Sequence, residues 1–151
     1  MDTCTFAVYT DDSSIARSSS GQVAGVIYVT FDGTTFPGAG WSDSIVAVLR
    51  AWLEGLSSFT ADASESLSLH FMDGPFRIDI SWLGPKWHLQ FHRVARHSTI
   101  VGECSVDPDD MKRSVAEAAR RTLEVCSQKA WWSPDLDALA QLTKIFLKDR
   151  Q

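Results

Sequence analysis

Residues 65–106 read ESLSLHFMDGPFRIDISWLGPKWHLQFHRVARHSTIVGECSV, and this stretch decides the fold. Apolar and polar residues alternate through it in several short segments, which is the period of a β-strand with one buried face. Asp73-Gly74-Pro75 and Gly84-Pro85 interrupt the alternation with residues typical of tight turns. We therefore predict a meander of four antiparallel strands, covering residues 66–71, 76–82, 87–95 and 99–106.

Two further strands are predicted before this meander. Thr3 to Thr10 alternates apolar and polar residues, and Gln22 to Phe31 is apolar on both faces, as in a strand at the middle of a sheet. A polar loop that contains Ser18-Ser19-Ser20-Gly21 joins them. The segment from Gly33 to Gly40 is too rich in Gly and Pro for regular structure.

Three helices complete the pattern. The first is predicted from about Trp41-Ser42 to Ser57, with Ser42 or Asp43 as its N-cap. Asp107-Pro108 and Ser133-Pro134 each combine a capping residue with a proline at the first helical position, so each predicts a helix start. The resulting order is ββαββββαα. This order predicts a single α+β domain over residues 1–151, in which helices pack on one face of an antiparallel sheet of about six strands.

Composition agrees with one folded domain. The chain has 151 residues, of which 44% are hydrophobic, enough to form a core without covalent links. Cys4, Cys104 and Cys126 are odd in number and have apolar or small neighbours, so we expect buried thiols. No basic and apolar leader and no run of about 18 apolar residues occurs, which predicts a cytoplasmic protein without a membrane segment.

Charge is distributed unevenly along the chain. Residues 1–73 contain nine acidic residues but only Arg17 and Arg50 as bases, so this half has a net charge of −7 against −5 for the whole chain. Nucleic-acid binding needs clustered Lys and Arg, and we therefore predict no nucleic-acid partner. An acidic half is compatible with a basic protein partner, because complementary charge speeds association.

Motifs for catalysis or for a cofactor are missing from the sequence. No G-x-S-x-G or phosphate-binding glycine loop occurs, so we predict that the chain is not an enzyme and takes no cofactor. His88 and His92 share the polar face of one predicted strand, but four residues separate them by roughly 13 Å, too far for one metal ion. A metal-assisted enzyme that uses His70, His88 and His92 stays open as an alternative, although no metal site is predicted.

Six tryptophans are many for this length. Trp52, Trp82 and Trp87 lie on apolar stripes and are expected in the core, whereas Trp41 and the pair Trp131-Trp132 lie at element boundaries, where a ring can be partly exposed. If the first helix and the sheet enclosed an apolar pocket lined by tryptophans, the chain would be a small-ligand-binding module. This module is the alternative to a protein-binding function.

Two segments carry a resemblance. FPGAGWSD at residues 36–43 and FMDGPF at residues 71–76, with Trp52-Leu53 between them, resemble a group of small bacterial proteins. That group is similar to the immunity proteins of contact-dependent or type VI secreted polymorphic toxins. The resemblance implies a cytoplasmic antitoxin that binds its cognate toxin domain and blocks it.

The glycine- and proline-rich loop is where we expect the toxin contact. Asp32 and Asp43 flank this loop, which contains Phe36 and Trp41, so charge and aromatic anchors occur together. Asp73 is instead expected to satisfy the backbone of its turn. The chain is expected to be a monomer or a homodimer, and an edge strand at Thr3 to Thr10 or Thr99 to Val106 could pair with a second copy.

Overall fold

The computed structural model describes residues 3–59 and 65–148, and it confirms the α+β class. Helices and strands follow the predicted order, with three additional short strands. The strands in the described ranges are β1 (Phe6–Thr10), β2 (Ala16–Arg17), β3 (Val23–Phe31), β4 (Thr34–Phe36), β5 (Ser42–Asp43), β6 (Ser66–His70), β7 (Phe76–Leu83), β8 (Lys86–Val94) and β9 (Ser98–Val106). The helices are α1 (Ile45–Ser58), α2 (Pro108–Gln128) and α3 (Pro134–Lys148). A short 3-10 helix, Asp12–Ser14, lies between β1 and β2.

The predicted meander forms a four-stranded antiparallel sheet in the order β6-β7-β8-β9. Its inner face is apolar, since Ile78, Ile80, Leu89 and other side chains there are completely buried. Its outer face holds polar residues at the alternate positions, as a sheet covered on one side requires. The register shifts by one residue between Phe91 and His92, opposite β9.

A second sheet is built around β3, which confirms the prediction of a central strand. β1 and β2 pair along one edge of β3, and β4 and β5 pair along the other, all antiparallel. Each edge of β3 is therefore occupied by two strands, one after the other. The three short strands have only two or three residues each, which is too few to show a period in the sequence.

The two sheets meet at the N-terminal segment, where one sheet had been predicted. Thr3 forms a parallel bridge with Ser105 of β9, and the Cys4 amide donates to the Ser105 carbonyl at 2.7 Å. Phe31 of β3 stacks on Phe91 of β8, with ring centroids 3.9 Å apart. These contacts join the sheets into one body with a shared core.

The helices cover the apolar side of this body. α1 packs against both sheets, and its Trp52 donates from Nε1 to the His70 carbonyl of β6 at 2.8 Å. The predicted caps of the other two helices are confirmed: the Asp107 carboxylate accepts from two amides of the first turn of α2, and the Ser133 hydroxyl accepts from the Leu136 amide. The predicted cap of α1 is wrong, because Ser42 and Asp43 pair with β3 and the helix starts at Ile45.

The outer edge of β1 is closed by α2. The Ser114 hydroxyl accepts from the Val8 amide at 2.8 Å, and Arg121 donates to the Val8 carbonyl at 3.3 Å. The residues just before β1 lie against β9 at Ser105. The edge of β1 that could pair with a second copy is therefore already occupied at these positions.

Candidate partner-binding site

The two segments that carry the resemblance lie together in the structure, although about 30 residues separate them in the sequence. Asp43, at the end of the first segment, connects them. Its carboxylate accepts from the amides of Met72 at 3.0 Å and Asp73 at 3.3 Å in the second segment. We call residues 36–43 and 71–76 together the loop pair.

Asp43 is completely buried. Besides the two amides, its carboxylate accepts from the Ser44 amide at 2.7 Å and from Trp41 Nε1 at 3.0 Å. A buried carboxylate without donors would cost several kcal/mol, so four N–H donors make this position favourable for a charge. The same donors fix the orientation of both loops and of the indole ring.

Aromatic rings pack within the loop pair and against the sheet beneath it. Phe36, which is 2% exposed, makes edge contacts with Phe71, Phe76 and Phe91 at centroid distances of 5.8, 5.6 and 5.2 Å. Trp41 packs edge-on against Phe76 at 5.2 Å. Such edge contacts between rings are favourable and directional, so they position the loops as well as burying area.

Gly74 gives Trp41 the space it occupies. A Cβ atom built on Gly74 would lie 2.7 Å from Cη2 and 2.9 Å from Cζ2 of the indole ring. No side chain fits there without displacing Trp41. The turn that the sequence indicated by Asp73-Gly74-Pro75 is therefore also a packing site for the first loop.

The loop pair presents a small mixed surface. Met72 is 46% exposed, Asp73 and Pro75 are exposed, and Trp41 is partly exposed beside them. An exposed thioether and a partly exposed indole offer apolar contact area, and the neighbouring carboxylate offers a charge. The surface rests on the buried hydrogen bonds of Asp43.

The four residues predicted to contact a partner do not form one patch. Asp43 and Phe36 are inside the protein, where they hold the loop pair, and Trp41 reaches its surface. Asp32 is exposed at the far end of β3, where its carboxylate accepts from the Thr5 amide at 3.0 Å. Asp43 pairs with Gly25, and the seven residue-to-residue steps of extended chain from Gly25 to Asp32 span roughly 23 Å.

Sequence reasoning missed Met72 as a surface residue and Asp43 as a buried acceptor. Met72 is exposed because it follows Phe71, the last residue of the alternating pattern, and begins the turn. Asp73 was expected to satisfy the backbone of this turn, but the carboxylate of Asp43 accepts the amides of Met72 and Asp73. That contact crosses 30 positions of sequence, and no local pattern indicates it.

A second polar cluster lies on the outer face of the four-stranded sheet. Asp79 is at its centre: Arg77 donates from Nε to both carboxylate oxygens at 3.0 and 3.2 Å, and the Ser68 hydroxyl donates at 2.7 Å. His92 Nε2 lies 3.2 Å from Asp79 but without hydrogen-bonding geometry. His92 Nδ1 and the Ser98 hydroxyl are 2.8 Å apart.

The order Asp79, His92 and Ser98 contains the residue types of a catalytic triad. A triad needs an aligned hydrogen bond from the acid to the histidine, and an acid whose charge is available to the imidazolium. Here the acid's oxygens accept from Arg77 and Ser68, and the contact to His92 is not aligned. This geometry matches that of an ordered polar face of a sheet better than that of a catalytic triad with an activated serine.

The three histidines proposed for the metal alternative are not brought together. Within residues 3–59 and 65–148, no group of three or more His, Cys, Asp or Glu side chains is arranged to hold a metal ion. In the register of the sheet, Arg77 of β7 lies between His70 of β6 and His92 of β8. These two histidines are therefore two strand spacings apart, roughly 9.5 Å. His88 lies on β8 itself, four positions before His92 and thus roughly 13 Å away along the strand.

The cysteines are buried free thiols, as predicted. Burial raises the pKa of Cys104 and of Cys126 above the ordinary value. For Cys4 burial is again the main cause of a raised pKa. A thiol that holds its proton is a poor nucleophile, so these positions lack the property of reactive cysteines.

The tryptophans expected in the core pack on aromatic neighbours. Trp87 is completely buried and contacts Phe59 at 5.5 Å and Trp82 at 5.8 Å, and Trp52 contacts Phe71 at 5.1 Å. These ring contacts lie between α1 and the four-stranded sheet, the region in which the alternative of a ligand-binding module places its pocket. The core expectation is confirmed for Trp52 and Trp87.

Two arginines of α2 pair with acidic residues of the same helix, as is usual on a solvated helix face. Arg113 pairs with Asp110, and Arg120 pairs with Glu117 and Glu124, at i, i+3 and i, i+4 spacings.

None of the helices in the described ranges combines the length and the apolar character needed to cross a membrane. No protein-family model, curated protein or solved structure matches the chain.

Proposed function

We propose that the chain is an immunity-type inhibitor that binds a cognate toxin domain through the loop pair. The observation that carries the proposal is the meeting of residues 36–43 and 71–76 at Asp43. These are the same two segments that resemble immunity proteins. Their resemblance thus concerns one surface of the folded chain rather than two unrelated loops.

The surface of the loop pair has the character of an interaction site. Met72 and Trp41 supply apolar area, and interface cores are rich in Met and aromatic residues. Asp43 and the packing of Trp41 on Gly74 hold the loops in one conformation before binding. Preorganisation of this kind lowers the entropy cost of forming a complex.

Charge favours a basic toxin domain as the partner. Asp73 lies beside Met72 on the exposed surface, and the N-terminal half of the chain carries a net charge of −7. A negative field of this kind accelerates encounter with a basic protein and is weakened by salt. Asp32 can add to this field, but roughly 23 Å of extended strand separate it from the pairing position of Asp43, so it lies outside the contact formed by Met72 and Asp73. In this proposal the chain acts in the cytoplasm and needs no cofactor.

The first experiment is co-expression with the product of the adjacent reading frame. We expect that product to be toxic alone, that this chain restores growth, and that the two proteins purify as a complex. A product that is toxic alone but is neither bound nor neutralised would contradict the proposal.

A matched pair of variants then tests the loop pair itself. Met72 and Leu83 are equally exposed, at 46% and 47%, but Leu83 lies at the β7–β8 turn. We expect Met72→Arg to weaken toxin binding at least tenfold, a loss of about 1.4 kcal/mol, and Leu83→Arg to leave it unchanged. Equal affinity of both variants and the parent chain would move the interface elsewhere.

A further inference from the structure

A groove runs along the outer surface between α2 and α3. One part has a volume of about 510 Å³ and is lined by Leu123, Ala140 and Leu147, with Arg120 and Lys144 at its rim. A second part, of about 400 Å³, shares Leu123 and Ala140 and continues towards the connection between the helices. The two parts therefore form one groove along the length of α3, roughly 20 Å.

An exposed tryptophan stands at one end of this groove. Trp132 lines the second part and is 72% exposed, whereas its neighbour Trp131 is partly buried and lies beneath Arg17 and Lys129. A large ring left in water next to an apolar groove is typical of a surface that is covered in a complex. The groove is therefore a candidate interface, separate from the loop pair.

Charge along α3 indicates what covers it. The helix carries Asp135 and Asp137 in its first turn, Ala140 near its middle, and Lys144 and Lys148 towards its end. Asp135 is paired with Arg50, but none of the ion pairs found in the described part of the chain uses Asp137, Lys144 or Lys148. The groove-facing charges are thus acidic at one end and basic at the other.

This pattern is complementary to itself. If a second α3 lies antiparallel across the groove, with the two-fold axis close to Ala140, Asp137 of each copy comes opposite Lys144 of the other. The same rotation brings each Trp132 towards Leu147 of the second copy, and the small Ala140 lets the helices approach at the axis. A two-fold interface requires such self-complementarity of one surface patch.

We infer that the groove between α2 and α3 binds a second copy of this chain and makes the protein a homodimer. Self-association through the edge of β1 is disfavoured, because Ser114 and Arg121 already occupy the backbone groups of Val8. The inference does not depend on the proposed toxin partner, because it uses a different surface.

Charge reversal tests the symmetry directly. Sedimentation velocity over a range of concentrations would measure the dimer dissociation constant of the full chain and of Asp137→Lys, Lys144→Asp and the double variant. Each single change places like charges opposite one another at two symmetry-related positions. We expect each to raise the dissociation constant about tenfold or more, and the double variant to restore dimerisation.

Asp109→Lys is the matched control. Asp109 occupies the first turn of α2 as Asp137 occupies that of α3, so both changes remove a favourable charge at a helix N-terminus. The control should dimerise as the parent chain does. A parent chain that is monomeric at every soluble concentration would overturn the inference. A dimer whose dissociation constant is unchanged by both single variants, or not restored in the double variant, would overturn it equally.

Discussion

Asp43 and Asp79 both connect neighbouring parts of the β-structure, but they do so in opposite settings. Asp43 is completely buried and accepts chiefly from backbone amides of segments far apart in sequence. The side chain of Asp79 is 27% exposed and accepts from the side chains of Arg77 and Ser68 on an open sheet face. Similar numbers of hydrogen bonds therefore have different consequences.

Water can take over the hydrogen bonds of Asp79 more easily than those of Asp43. Donors around Asp79 are near solvent and can hydrate if the carboxylate is removed, so each bond contributes little net free energy. The carboxylate of Asp43 is out of reach of solvent, so without it water would have to enter the space it leaves to satisfy the donors. The loop pair therefore depends on one side chain, whereas the open face of the sheet distributes its contacts over several.

The largest effect is expected for Asp43→Ala. Removal of the carboxylate leaves the amides of Ser44 and Met72 and the indole N–H of Trp41 without their acceptor. We expect the free energy of unfolding to fall by roughly 2–5 kcal/mol, measured by urea denaturation at neutral pH. Toxin binding through the loop pair should fall with it.

Two measurements on Asp43→Ala distinguish opening of the loop pair from unfolding of the whole protein. If Asp43→Ala unfolds at the same urea concentration as the parent chain, the buried contacts of Asp43 do not stabilise the fold, and the comparison with Asp79 fails. Amide hydrogen exchange at Met72 and Asp73 would show whether the loop pair opens in the variant while the core stays protected.

Gly74→Ala is expected to have the next largest effect. The added Cβ would meet the indole ring of Trp41 at 2.7 Å, so the ring must move away from the turn. We expect a loss of about 1–3 kcal/mol in the free energy of unfolding and a change in tryptophan fluorescence. Gly38→Ala is the matched control in the same loop pair, because a Cβ there has no neighbour within 4 Å. Equal stability of the two variants would show that Trp41 is not held by this packing.

Much of the fold could be predicted because its signals are local. Alternation in residues 65–106 gave the four strands of the meander within a residue or two, and Asp107-Pro108 marked the start of α2 correctly. The start of α1 was missed by about four residues. Ser42 and Asp43 have the composition of a cap, but pairing with β3 uses their backbone instead.

The site was less accessible to sequence reasoning, because its contacts cross long stretches of chain. The sequence around Asp43 predicts a charged and aromatic surface, and the resemblance concerns both segments of the loop pair. Whether Asp43 faces the solvent or the core depends on Met72 and Asp73, 29 and 30 positions away. Strand geometry separates Asp32 from this position, since the extended β3 lies between them.

The smallest effect is expected for Asp79→Asn, and it sharpens the comparison most directly. The amide oxygen can still accept from Ser68 or Arg77, and the partner that is lost can turn to water. We expect the free energy of unfolding to fall by about 1 kcal/mol or less, with a smaller difference at high salt, where the Arg77 pair is screened. A loss as large as that of Asp43→Ala would mean that the outer face of the sheet is covered in solution. The loss for this variant therefore reports whether that face is open to water, as the exposure of Asp79 indicates.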